Sequence, residues 1–161
     1  MAEKKDKEKA AKPSIGLDQQ IAVNAQYIKD LSFENPRSPK SLIVTKTPPK
    51  IDIGFNLNVD RFEKDNMYEV AFSITAKASH EGQPLFVVEL VYAGLFTMKN
   101  LKETEIEPAL LVYCPNILFP YARRIVSDTV RDGGFPPLML EPIDFAKLYI
   151  ERQNNKGQKA S

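Results

Sequence analysis

A chain of 161 residues with 43% apolar and 27% charged residues has the balance of one soluble globular domain. Its formal net charge of +1 conceals a polarity: residues 1–12 hold five lysines against three acids, residues 151–161 three basic residues against one acid, and residues 13–150 fourteen against seventeen. An acidic body argues against a nucleic-acid groove, no run approaches the ~18 apolar residues of a membrane-spanning helix, and a single cysteine, Cys114, rules out an intramolecular disulfide. The start of the chain has no apolar centre of the kind a secretory signal needs, so the expected location is the reducing cytoplasm.

Residues 1–16 are charged and poor in large apolar side chains, which predicts a disordered N-terminal tail ahead of a domain over 17–152. Residues 21–35 alternate as a half-buried strand, with Tyr27, Leu31 and Phe33 on one parity and Ile28, Asp30 and Glu34 on the other. Prolines at 36, 39, 48 and 49 bracket a long link. A second strand then carries Ile51, Ile53, Phe55, Leu57 and Val59 on one face, and a third carries Tyr68, Val70, Phe72, Ile74 and Ala76. A turn at Glu81-Gly82-Gln83 leads to a fourth, with Phe86, Val88, Leu90 and Tyr92 facing the helices and Leu85, Val87, Glu89 and Val91 facing away.

From about residue 103 the pattern turns helical. An acidic start suits the helix dipole over 103–113, and Cys114-Pro115 predicts a break. A second helix over 116–132 places Leu118, Ala122, Ile125 and Thr129 on one stripe and stops at Gly133-Gly134. After a proline-bound apolar loop, Asp144 starts a last helix ending near Gln153, with Phe145, Leu148 and Tyr149 on one side, before a flexible basic tail over 153–161. Strands followed by helices predict an α+β fold, a four-stranded antiparallel sheet with helices on one face.

Little in these residues speaks for catalysis. The one histidine, His80, adjoins a turn, none of the nucleophile-elbow or phosphate-loop glycine patterns occurs, and a lone Cys and His do not make a metal site. Glu103, Glu105 and Glu107 read as a solvated helix start. No cofactor is expected. More informative are IDIGFNL and FPPLML, which carry large apolar side chains in segments that proline separates from regular inner elements. Caps over the core, burial in an oligomer and a binding surface are all open readings. The acids Asp30, Glu34 and Glu89 form a patch if the first and fourth strands present one face together; a solvated strand edge is the alternative.

Four segments, YCPNILFPYAR at 113–123, IKDLSFENPRSP at 28–39, FVVELVYAGLF at 86–96 and GGFPPLMLEPIDFAKLY at 133–149, resemble the SecB family in content and order, over roughly residues 20–152. The resemblance implies a non-enzymatic chaperone that assembles as a homotetramer, a dimer of dimers. Such a chaperone holds unfolded precursor proteins in apolar grooves and delivers them to the SecA ATPase for export, with no membrane insertion of its own. By position it implies a client groove at Ile51, Ile53, Phe55, Phe135, Leu138 and Tyr149. It likewise implies a SecA-docking face at Asp30, Glu34, Val87 and Glu89. A SecB-like chaperone dedicated to a toxin–antitoxin pair and a carrier of a small apolar ligand are the competing functions. Two departures stand out: Ala93-Gly94 offers one glycine where many relatives have two, and the tail is short and basic rather than acidic.

Overall fold

Strands β1 (Ile21–Glu34), β2 (Lys50–Arg61), β3 (Met67–His80) and β4 (Gln83–Met98) form one antiparallel sheet in the order β1-β4-β3-β2 in a computed structural model, which describes residues 20–43, 46–62 and 66–159. The expected tail over 1–16 lies outside these residues. Two hairpins link β2, β3 and β4, while the proline-bracketed link carries the chain from one sheet edge to the other. Glu81 and Gly82 both take positive φ, 51° and 75°, which closes β3 onto β4 through a two-residue turn whose twist matches that of the strands.

Alternation decides which face the helices cover. On β3, Tyr68, Val70, Phe72, Ile74, Ala76 and Ala78 are buried, and on β4 so are Phe86, Val88, Leu90, Tyr92, Phe96 and Met98, all on the inner face. β1 departs from simple alternation. Register shifts between Val23 and Ala25 and between Ile28 and Asp30 mark two bulges, at Asn24 and Lys29. The second reverses the parity expected for Tyr27 and Ile28: Tyr27 pairs with Ala93 on the outer face, whereas Ile28 pairs with Tyr92 on the inner face, beside Leu31 and Phe33.

The helical region also corrects an expectation. Instead of breaking at Cys114-Pro115, the chain is helical from Glu103 to Asp132, as α1 (Glu103–Pro108), a π-helical turn (Ala109–Tyr113) and α2 (Cys114–Asp132). A proline ends a helix because its ring meets the carbonyl four residues back. In the π turn the Cys114 N–H donates to the Ala109 carbonyl instead, and this widened turn makes room for Pro115. The buried ridge of α2 runs through Leu118, Ala122, Val126 and Val130, so Ile125 and Thr129 lie at its flank, half-buried. Gly133 and Gly134 stop the helix, their N–H groups donating to Thr129 and Arg131 carbonyls.

α3 (Phe145–Lys159) begins as expected, the Asp144 carboxylate accepting from the Lys147 N–H at 3.0 Å. It drives Phe145 between Phe72 and Phe119, with ring centroids 5.7 and 6.3 Å away. It runs on to Lys159, past the expected end at Gln153, so residues 153–159 are helical. Lys156 and Lys159 in the last turn suit the helix dipole, and Gln153 and Lys156 both reach Glu107 on α1.

Candidate functional site

β2 is an edge strand, paired on one side only. Its inner face follows the register Ile51–Ala78, Ile53–Ala76, Phe55–Ile74, Leu57–Phe72 and Val59–Val70. Leu57 and Val59 pack half-buried on the core, but Ile51, Ile53 and Phe55 remain 39%, 48% and 45% exposed. Facing them is the irregular segment from Leu138 to Ile143. Between strand and segment lies a cavity of about 440 Å³ with Ile74 in its lining and Glu141 as its one charged residue. Pro142 within this wall has no N–H to pair onto β2, and Pro136-Pro137 just before it keep the chain from entering as a strand, so the wall is irregular and does not add a fifth strand.

Four of the six expected groove residues, Ile51, Ile53, Phe55 and Leu138, thus meet in one trough. Phe135 belongs elsewhere: it packs against Phe86 and Phe33, with centroids 4.9 and 6.4 Å away, and lines an adjoining pocket with Leu42, Ile43 and Leu85. Tyr149 is half-buried on α3 and lines neither cavity. Sequence reasoning missed Met139 and Ile143, although both belong to the same apolar loop, and Ile74, whose alternation marks it as core.

The opposite face of the sheet has another chemistry. The register pairs Glu34 with Val87, Ser32 with Glu89 and Asp30 with Val91, which brings Asp30, Glu34, Val87 and Glu89 onto the outer face together. The three acids are exposed and take part in no salt bridge among the described residues. Unneutralised carboxylates around half-buried valine can attract a basic partner and then bury apolar area against it.

Further along that face, Glu69 of β3 joins β1 across β4. Its carboxylate accepts from Lys29 Nζ at 2.6 Å and from the Tyr27 hydroxyl, with the small side chains of Ala93 and Ala71 paired beside Tyr27. The Lys29 and Tyr27 hydrogen bonds hold the Glu69 carboxyl below its ordinary range, although burial opposes them. Burial, then the Glu69 hydrogen bond, pushes the Tyr27 phenol up to about 12. Burial likewise pushes the Cys114 thiol up to about 12, which leaves it no nucleophile at neutral pH.

An open apolar trough beside a free edge strand, with an acidic patch on the other face of the same sheet, defines a class of protein that binds other polypeptides. Among the described residues no cluster of side chains could hold a metal ion, and no helix is long and apolar enough to cross a membrane. Residues 16–156 match the family described as preprotein translocase subunit SecB. The chain is 48% identical to a protein-export protein SecB of Bradyrhizobium sp. strain BTAi1, over 94% of this chain and 91% of that one. It is 46% identical to that of Caulobacter vibrioides, over 83% and 81%. A solved SecB-like chaperone of Mycobacterium tuberculosis, in complex with a ChAD peptide from an antitoxin, superposes with a TM-score of 0.64 over 79% of this chain and 93% of that one, at 19% identity. The chain belongs to the SecB family of protein-export chaperones. Similarity in sequence lies with the export proteins, and the antitoxin-bound structure shares the fold.

Proposed function

We propose that this chaperone binds exposed apolar stretches of unfolded precursor proteins in the β2 trough, in the cytoplasm and without enzymatic chemistry, and delivers them to SecA. The observation that carries this reading is the exposure of Ile51, Ile53 and Phe55 beside a wall that prolines keep from closing. Apolar burial is non-directional, so one trough accepts many sequences. The unpaired edge of β2 adds main-chain hydrogen bonds that read no sequence. A lipid carrier encloses its ligand, whereas Ile51, Ile53 and Phe55 in this cavity remain 39–48% exposed.

Magnitudes favour assembly. Covering what remains exposed of the three side chains contributes on the order of 3 kcal/mol, against about 8 kcal/mol for micromolar binding. These side chains alone fall short of that, which favours several troughs engaging one client, as they do if four copies assemble as a dimer of dimers. Val23, Ile28 and Leu31 on the inner face of β1, and Tyr121 on α2, are exposed apolar side chains that such assembly would cover. Asp30, Glu34, Val87 and Glu89 then form the face on which SecA docks, separate from the trough.

The test is arrest of aggregation or refolding of a signal-bearing precursor by the purified full chain. Arrest near one chaperone assembly per client is expected. Ile53→Asp should abolish it at a stability cost of about 1–2 kcal/mol, because only the buried half of the side chain is lost from the fold, and an unchanged far-ultraviolet spectrum checks that the variant is folded. Full arrest by that variant would remove the trough from the mechanism.

A further inference from the structure

Strict alternation carried on from Ile28 would turn Asp30, Ser32 and Glu34 toward the helices and Phe33 toward solvent. The extra residue at Lys29 reverses that phase, because a one-residue slip sends every following side chain to the other face. Phe33 then joins Phe86 and Phe135 inside, and the acids come to lie beside Glu89 outside. A bulge is a local loss of pairing, and something has to hold its shape. Each bulge residue of β1 is tied by its side chain: Asn24 donates to Thr97 Oγ1 at 2.6 Å, and Lys29 donates to Glu69 at 2.6 Å. Glu69 also takes the Tyr27 hydroxyl, so the second bulge is fastened at Lys29 and two residues before it to a carboxylate whose side chain is 13% exposed.

We propose that Lys29, Tyr27 and Glu69 act as positioning residues for the acidic docking face, by fixing the bulge from which Asp30 projects. The inference rests on the proposed docking of SecA at that face and adds residues to it that need not touch the partner. Phe33 anchors the strand beyond the bulge from the core side. The stretch between Ile28 and Leu31, which carries Asp30, depends on the tie to Glu69.

The sign of one substitution separates positioning from plain charge. Lys29→Gln removes a cation from an acidic face, so electrostatics alone predicts tighter binding of a basic partner. Positioning predicts weaker binding, by roughly three- to tenfold, with Lys29→Arg restoring it because a guanidinium can still bond Glu69. Tyr27→Phe, which changes no charge at neutral pH, should weaken binding in the same direction. Binding of purified SecA would be measured by titration calorimetry for the full chain and these variants, with Glu89→Lys alongside and client arrest as the check of folding. All should keep client arrest. Undiminished SecA binding by Lys29→Gln and Tyr27→Phe, with binding lost in Glu89→Lys, overturns the inference alone. A Glu89→Lys protein that still binds SecA overturns the docking reading and takes the inference with it.

Discussion

At Gly133 a methyl group has no space, because a Cβ built there overlaps the Phe33 ring. That ring is held by Phe86 and Phe135 and cannot simply turn aside. Gly133→Ala should therefore cost about 1–3 kcal/mol, read as a lower urea midpoint at unchanged slope. The Tyr27–Glu69–Lys29 tie carries its own pH signature. Tyr27 keeps its proton in the folded protein to about pH 12, against an ordinary value of 10.0, so the folded state binds the proton more tightly. Its contribution is complete below pH 10 and is lost as pH rises toward 12, and Tyr27→Phe should flatten that alkaline fall. Glu69 acts at the other end: its carboxyl lies below the ordinary 4.5, so its contribution is complete above that pH and lost as acid protonates it. Urea unfolding of wild type and Glu69→Gln should converge below about pH 4.5, and a gap that stays constant into acid would contradict the tie.

At the scale of elements, legibility followed local chemistry. The four strands, the Glu81-Gly82 turn, the stop at Gly133-Gly134 and the start at Asp144 could all be read because alternation, glycine and a capping carboxylate act within a few residues. The Cys114-Pro115 break misled because proline's effect depends on the backbone before it, and a π turn has no pattern of its own in sequence. The phase of β1 was partly hidden for a related reason. Leu31 and Phe33 on one face with Asp30 and Glu34 on the other could be read, but the flip at Lys29 is set by Glu69, forty residues away. In the trough, Ile51, Ile53, Phe55 and Leu138 stood out as apolar residues in proline-bounded segments, and only the family resemblance marked them as a groove rather than as caps over the core or an oligomer seam. Phe135 and Tyr149 were not separable from them, since which side of a loop or helix a ring takes is settled by packing.

Over the whole molecule, one sheet keeps two surfaces of different physics apart. The inner side of β2 offers apolar area, whose contribution changes little with modest salt. The outer side of β1 and β4 offers exposed carboxylates, whose attraction fades as the screening length shortens. Raising salt from 0.05 to 0.5 M, about a threefold shortening of that length, should weaken SecA binding while leaving client arrest nearly unchanged. Equal loss of both would mean that the two surfaces do not work independently.

The edges of the sheet are also unlike. β1 is interrupted twice, whereas β2 runs from Lys50 to Arg61 with continuous register, no proline and no bulge. Most proteins spoil such a border to keep stray chains from zippering onto it. Here neither proline nor bulge does so, and the guards are charges toward its ends, Lys50, Asp52, Asp60 and Arg61, which makes vacancy of the apolar middle the dangerous condition: a concentrated preparation stripped of cargo should aggregate sooner than one supplied with unfolded substrate.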